Sequence, residues 1–69
     1  MKYDVEQERE EHWYPVGAQR LDSDSAAKAV AQTARTEGLY RARPADRPGS
    51  RYELFRVPAW GQPISLGIV

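Results

Sequence analysis

Sixty-nine residues, with ten Lys or Arg balanced by ten Asp or Glu, give a chain of zero formal net charge and no cysteine. A chain of this length buries only about 60% of its unfolded surface, which allows one marginally stable domain and argues against a spacious enclosed active site. The missing cysteine excludes disulfides, thiolate metal sites and cysteine nucleophiles, leaves oligomerisation as the way to reinforce a small core, and points to the cytoplasm.

The N-terminal stretch MKYDVEQEREEHW lacks the apolar core of a signal peptide, and no apolar run approaches the roughly 18 residues of a membrane span. A soluble, unprocessed protein is expected. Tyr3, Val5 and Gln7 alternate with Asp4, Glu6 and Glu8, which predicts a half-buried strand over residues 2 to 8. Its carboxylates suit an edge strand, where charge discourages strand addition. Trp13, Tyr14 and Val16 mark a second strand after a turn at Glu8 to Glu11. Pro15 lacks an N–H and belongs at an edge, at a bulge, or facing outward.

LDSDSAAKAVAQTARTEG predicts a helix from about Ser25 to Glu37, with N-cap candidates in Asp22 to Ser25 and Gly38 as terminator. Ala26, Ala29, Val30, Thr33 and Ala34 share one face at helical spacing. Such small side chains let a helix lie close to a sheet, so the core volume must come from the sheet. Tyr3, Trp13, Tyr40, Tyr52, Leu54 and Phe55 are the candidates, with Trp13 expected on the helix side. GLYRARP and RYELFRVP predict a second hairpin around Pro48-Gly49. The expected fold is therefore α+β, ββαββ: an antiparallel sheet of about four strands with one short Ala-rich helix on one face. It occupies residues 1 to 58. The tail 59 to 69 is rich in Gly and Pro yet apolar, unlike a disordered segment, and is expected to dock on the domain or on a second subunit.

Trp13 in a hairpin, Ser25 heading SAAKAV, and GLYRARP follow the pattern W, S-x-x-x-A-[IV], G-x-Y-x-x-x-P. In this the chain resembles a class of short uncharacterised bacterial and phage-associated proteins, over roughly residues 3 to 58. The resemblance implies the ββαββ architecture and no catalytic or binding residue.

Charge is unevenly distributed. Residues 1 to 12 hold five carboxylates against Lys2 and Arg9, whereas residues 38 to 58 hold five arginines against Asp46 and Glu53. The two patches can complement one another within a molecule, between subunits, or with outside partners. Arg41, Arg43, Arg47 and Arg51 are candidate phosphate contacts, with Tyr40 or Tyr52 as stacking platforms, although nucleic-acid domains are usually basic overall. His12 beside Glu10 and Glu11 supplies too few ligands for zinc. No nucleophile elbow, phosphate loop or dinucleotide fingerprint is present, so no enzyme, cofactor or metal is expected. One helix cannot cover both faces of a sheet, and the uncovered aromatic and apolar residues suggest a contact surface. The favoured expectation is a non-catalytic protein-interaction or self-association module, with a homodimer as one form, using Tyr14, Phe55, Trp60, Ile64 and Leu66. The alternative is a small nucleic-acid-binding accessory protein using the arginine-bearing hairpin.

Overall fold

Alternation along Lys2–Arg9 carries directly into structure in the computed structural model, which describes residues 1–47 and 49–69. In this strand, β1, Tyr3, Val5 and Gln7 are buried, while Asp4, Glu6 and Glu8 face the other way. The elements that follow are β2 (His12–Pro15), β3 (Leu21–Asp22), α1 (Ala26–Thr33), β4 (Gly38–Pro44), β5 (Glu53–Val57) and β6 (Ile64–Ile68). They form one α+β unit: an antiparallel six-stranded sheet in the order β2-β1-β4-β5-β6, with β3 also on β1. No helix among the described residues is long and apolar enough to cross a membrane.

The expected four strands become six because Leu21–Asp22 (β3) and the tail segment Ile64–Ile68 (β6) also find partners. β3 pairs with the first residues of β1, Lys2 opposite Asp22 and Tyr3 opposite Leu21, while β2 pairs with the second half of β1. They form one interrupted row, broken at Val16 to Arg20. Gly17 (φ +66°) lies in the break, where a Cβ would come within 2.8 Å of Thr33 Cγ2. The tail supplies β6, which runs antiparallel to β5 and closes with the Val69 N–H on the Tyr52 carbonyl at 2.9 Å. Pro15 sits at the end of the β2 edge row, where its missing N–H costs no interior ladder bond.

Three further expectations are corrected. β1 is an interior strand, between β2 and β4. Glu6 is met there by Arg41, which β4 sets opposite it, whereas Asp4, though opposite Arg43, accepts from the Arg20 backbone N–H at 2.9 Å. Trp13 lies on the face away from the helix: the turn at Glu10 and Glu11 sets it opposite Glu8, and directly opposed residues share a face. Tyr52 and Leu54 follow it, since Leu54 pairs with Arg41, and Phe55 takes the core position. Finally, α1 ends at Thr33, four residues short of Glu37. Ala34 turns extended (ψ 127°), and Thr36 is claimed by the sheet: its carbonyl accepts from the Tyr40 hydroxyl at 2.7 Å, and its hydroxyl accepts from Gln7 Nε2 at 3.1 Å. Gly38 thus opens β4 instead of capping the helix.

The core is Tyr3, Val5, Tyr40, Ala42 and Phe55 from the sheet against Ala29 and Val30 of α1. The N-cap is Ser25, whose hydroxyl accepts from the Lys28 N–H at 3.2 Å. Asp24 pairs with Lys28 one turn on, at 3.1 Å. The helix interior was legible from its small residues; its early end was not. Of the turn expected at Pro48-Gly49, Pro48 lies outside the described residues. Around it the Ser50 N–H donates to the Arg47 carbonyl at 3.1 Å.

Candidate functional site

Two surfaces have no covering element among the described residues. The first is the open face of the sheet, opposite α1. Register places Trp13, Arg41, Arg43 and Tyr52 on it, with Glu6 and Glu8 alongside. The Arg41 guanidinium lies 4.3 Å from the ring centre of Trp13 and 3.8 Å from that of Tyr52, and its Nε donates to Glu6 Oε1 at 2.6 Å. Side-chain exposures of 23% for Arg41 and 22% for Glu6 make this a partly desolvated pair, stronger than a surface contact. The Arg43 guanidinium also lies over Tyr52, 4.6 Å from its ring centre.

This arrangement changes what the arginines can do. Arg41 is neutralised by Glu6, and Trp13 and Tyr52 each already have a guanidinium over the ring. Arg47 is exposed in the β4–β5 loop, and Arg51 is exposed just before β5. Neither makes an ion pair among the described residues; Asp46 bonds Arg20 instead. The four arginines therefore divide into an internal brace, a stacked neighbour and two exposed loop cations. The alternation of Glu6 and Glu8 with that of Arg41 and Arg43 was the available signal for the brace. It shows only once β1 and β4 are known to be neighbours.

The second surface is the edge formed by β6. Its exposures are 53% for Ile64, 49% for Leu66 and 58% for Ile68, with Trp60 in the preceding loop at 91%. No charged side chain follows Arg56 in the sequence. Long uncharged apolar edges are templates for strand addition, and proteins normally blunt them with Lys, Pro or a bulge. β6 carries a bulge, between its pairings to Leu54 and Phe55, and has Pro63 just before it, but no charge.

Of the residues expected in a contact surface, Ile64 and Leu66 lie on β6 and Trp60 in the loop that leads into it. Tyr14 is exposed but lies on β2, at the opposite edge of the sheet. Phe55 is fully enclosed between the sheet and α1, so it is a core residue and not a surface one. Ile68 and Val69 belong to the edge as well, and the uncharged run after Arg56 was the signal for them. His12 is exposed and lies 6.4 Å from the Tyr14 ring. Among the described residues, no group of three or more His, Asp or Glu could hold a metal ion.

No family model matches the chain, and no curated protein or solved structure matches it either.

Proposed function

We propose that the protein is a small non-catalytic module that acts through protein contact, and that its contact is with a second copy of itself through the β6 edge. The observation that carries this reading is an uncharged edge strand with three half-exposed apolar side chains and Trp60 beside it. The opposite edge argues for like pairing with like. It is interrupted at Val16 to Arg20, ends its β2 segment at Pro15, and is flanked by Glu10 and Glu11, so it makes a poor receptor for β6. β6 against β6 gives a closed two-fold interface with no like charges opposed. The small core gives such pairing a stabilising role.

Sedimentation tests the proposal. A dimer is expected for the wild type, and a monomer for Leu66→Lys and for Trp60→Ser, with circular dichroism unchanged because neither side chain reaches the core. A monomer at millimolar wild-type concentration, or a dimer indifferent to both changes, refutes it.

The second reading, nucleic-acid binding, rests on Arg43, Arg47 and Arg51, none of which pairs with a carboxylate among the described residues. About three phosphate contacts give weak, salt-sensitive affinity. A labelled oligonucleotide unshifted at low salt removes this reading.

A further inference from the structure

The helix is shorter than the strands it lies on, and the row beside β1 is broken. Together these leave a cleft of about 510 Å³ on the helix side of the sheet, past the end of α1. Gln7 and Tyr40 form its floor. The connection from Val16 to Ala18 makes one wall, and the last turn of α1 continuing to Thr36 makes the other.

Two arginines line it, Arg9 from the end of β1 and Arg35 from beyond the helix. Each rests on a neutral oxygen: Arg9 Nη2 reaches Gln7 Oε1 at 3.5 Å, and Arg35 Nη1 donates to the Gln32 carbonyl at 3.1 Å. Neither pairs with a carboxylate among the described residues. A guanidinium carries five N–H donors in a planar fork suited to oxyanions, so most of this donor capacity is unspent. Asp22, the one carboxylate on the cleft, is already met by the N-terminal ammonium at 3.0 Å and Lys2 at 3.9 Å. Val16 and Leu21 add half-buried apolar surface. The negative end of the α1 dipole lies nearby, but a short helix opposes an anion less than an arginine attracts it.

We propose that this cleft binds a small organic oxyanion, a carboxylate or phosphate monoester on an apolar or aromatic body, anchored by Arg9 and Arg35. The site is separate from the β6 edge and does not depend on association there.

Amide NMR titrations of the full chain with benzoate, phenyl phosphate, inorganic phosphate and benzyl alcohol test it. Saturable shifts at Gly17, Ala18 and the amides of Gln32 to Thr36 are expected with benzoate or phenyl phosphate, and the stronger of the two identifies the head group. Arg9→Gln and Arg35→Gln should each weaken binding roughly tenfold or more, and Arg51→Gln should leave it unchanged. Both arginines are exposed, so the spectra of the unliganded variants should retain the wild-type dispersion. The proposal is overturned if neither organic anion gives saturable shifts, if benzyl alcohol binds as well as benzoate, or if the two arginine variants bind like wild type.

Discussion

Arg41 illustrates how one side chain can serve several neighbours at once. Its plane fills the space between Trp13 and Tyr52 while its charge answers Glu6 on an interior strand. Truncation removes a stacking contact and leaves Glu6 partly desolvated without a partner, so Arg41→Ala should cost about 1–3 kcal/mol in urea unfolding. Arg41→Lys should recover only part of that, because an ammonium keeps the charge but has no plane to lie between two rings. Equal stability of the Lys variant and wild type would reduce the brace to charge alone. The β1–β2 turn is a residue-scale problem of another kind. Glu10 (φ 51°) and Glu11 (φ 68°) both occupy the left-handed region, where Asn-Gly is the usual solution for a two-residue hairpin turn. Replacing Glu10 and Glu11 by Asn and Gly should therefore raise stability by about 1 kcal/mol or more. The Glu11 N–H bond to Glu8 Oε2, at 2.7 Å, is a backbone donor's and survives the change. A lower melting temperature in this variant would show that the glutamate side chains contribute more than their backbone strain costs.

Among the elements, β3 is the least self-sufficient. Two residues cannot hold a strand without tethers, and Asp22 provides one by accepting from the N-terminal ammonium. That hydrogen bond first, then the ammonium's charge and then Lys2, hold the Asp22 carboxyl below its ordinary value of 3.8. A carboxyl depressed in the folded state contributes stability above its unfolded pKa and loses it as pH falls through the folded one. The melting temperatures of wild type and Asp22→Asn should accordingly differ by a small constant amount at neutral pH and converge in acid, below about pH 4. A difference that grows toward acid would contradict the tether. The helix is bounded by the same kind of competition. Ser25 starts it locally, through its own hydroxyl, but Gln7 and Tyr40 stop it from a distance by holding Thr36. The cleft beside Thr33 to Thr36 is a product of that early stop.

For the whole molecule, the two edges of the sheet differ sharply. One is broken and flanked by charge; the other is a single uncharged, apolar strand with one bulge. If β6 pairs between copies, association and stability are linked, and the melting temperature should rise with protein concentration for wild type and stay flat for Leu66→Lys. A concentration-independent wild-type value alongside a dimer in sedimentation would place the interface elsewhere.

The sequence by itself determined what local periodicity and chemistry can carry: the buried faces of β1 and β4, the Ser25 cap and small-residue face of α1, and a second hairpin. It also held the opposed acidic and basic segments. Only the tertiary structure decided that they meet within one chain, because Glu6 and Arg41 are 35 residues apart and become neighbours by strand order alone. The side taken by Trp13 depended on a turn register that shifts every side chain by one face. The strand at Ile64–Ile68 depended on β5, since a segment holding Gly67 and flanked by Pro63 has no periodicity of its own. Its backbone becomes regular only by pairing with a neighbour that distant residues have already put in place.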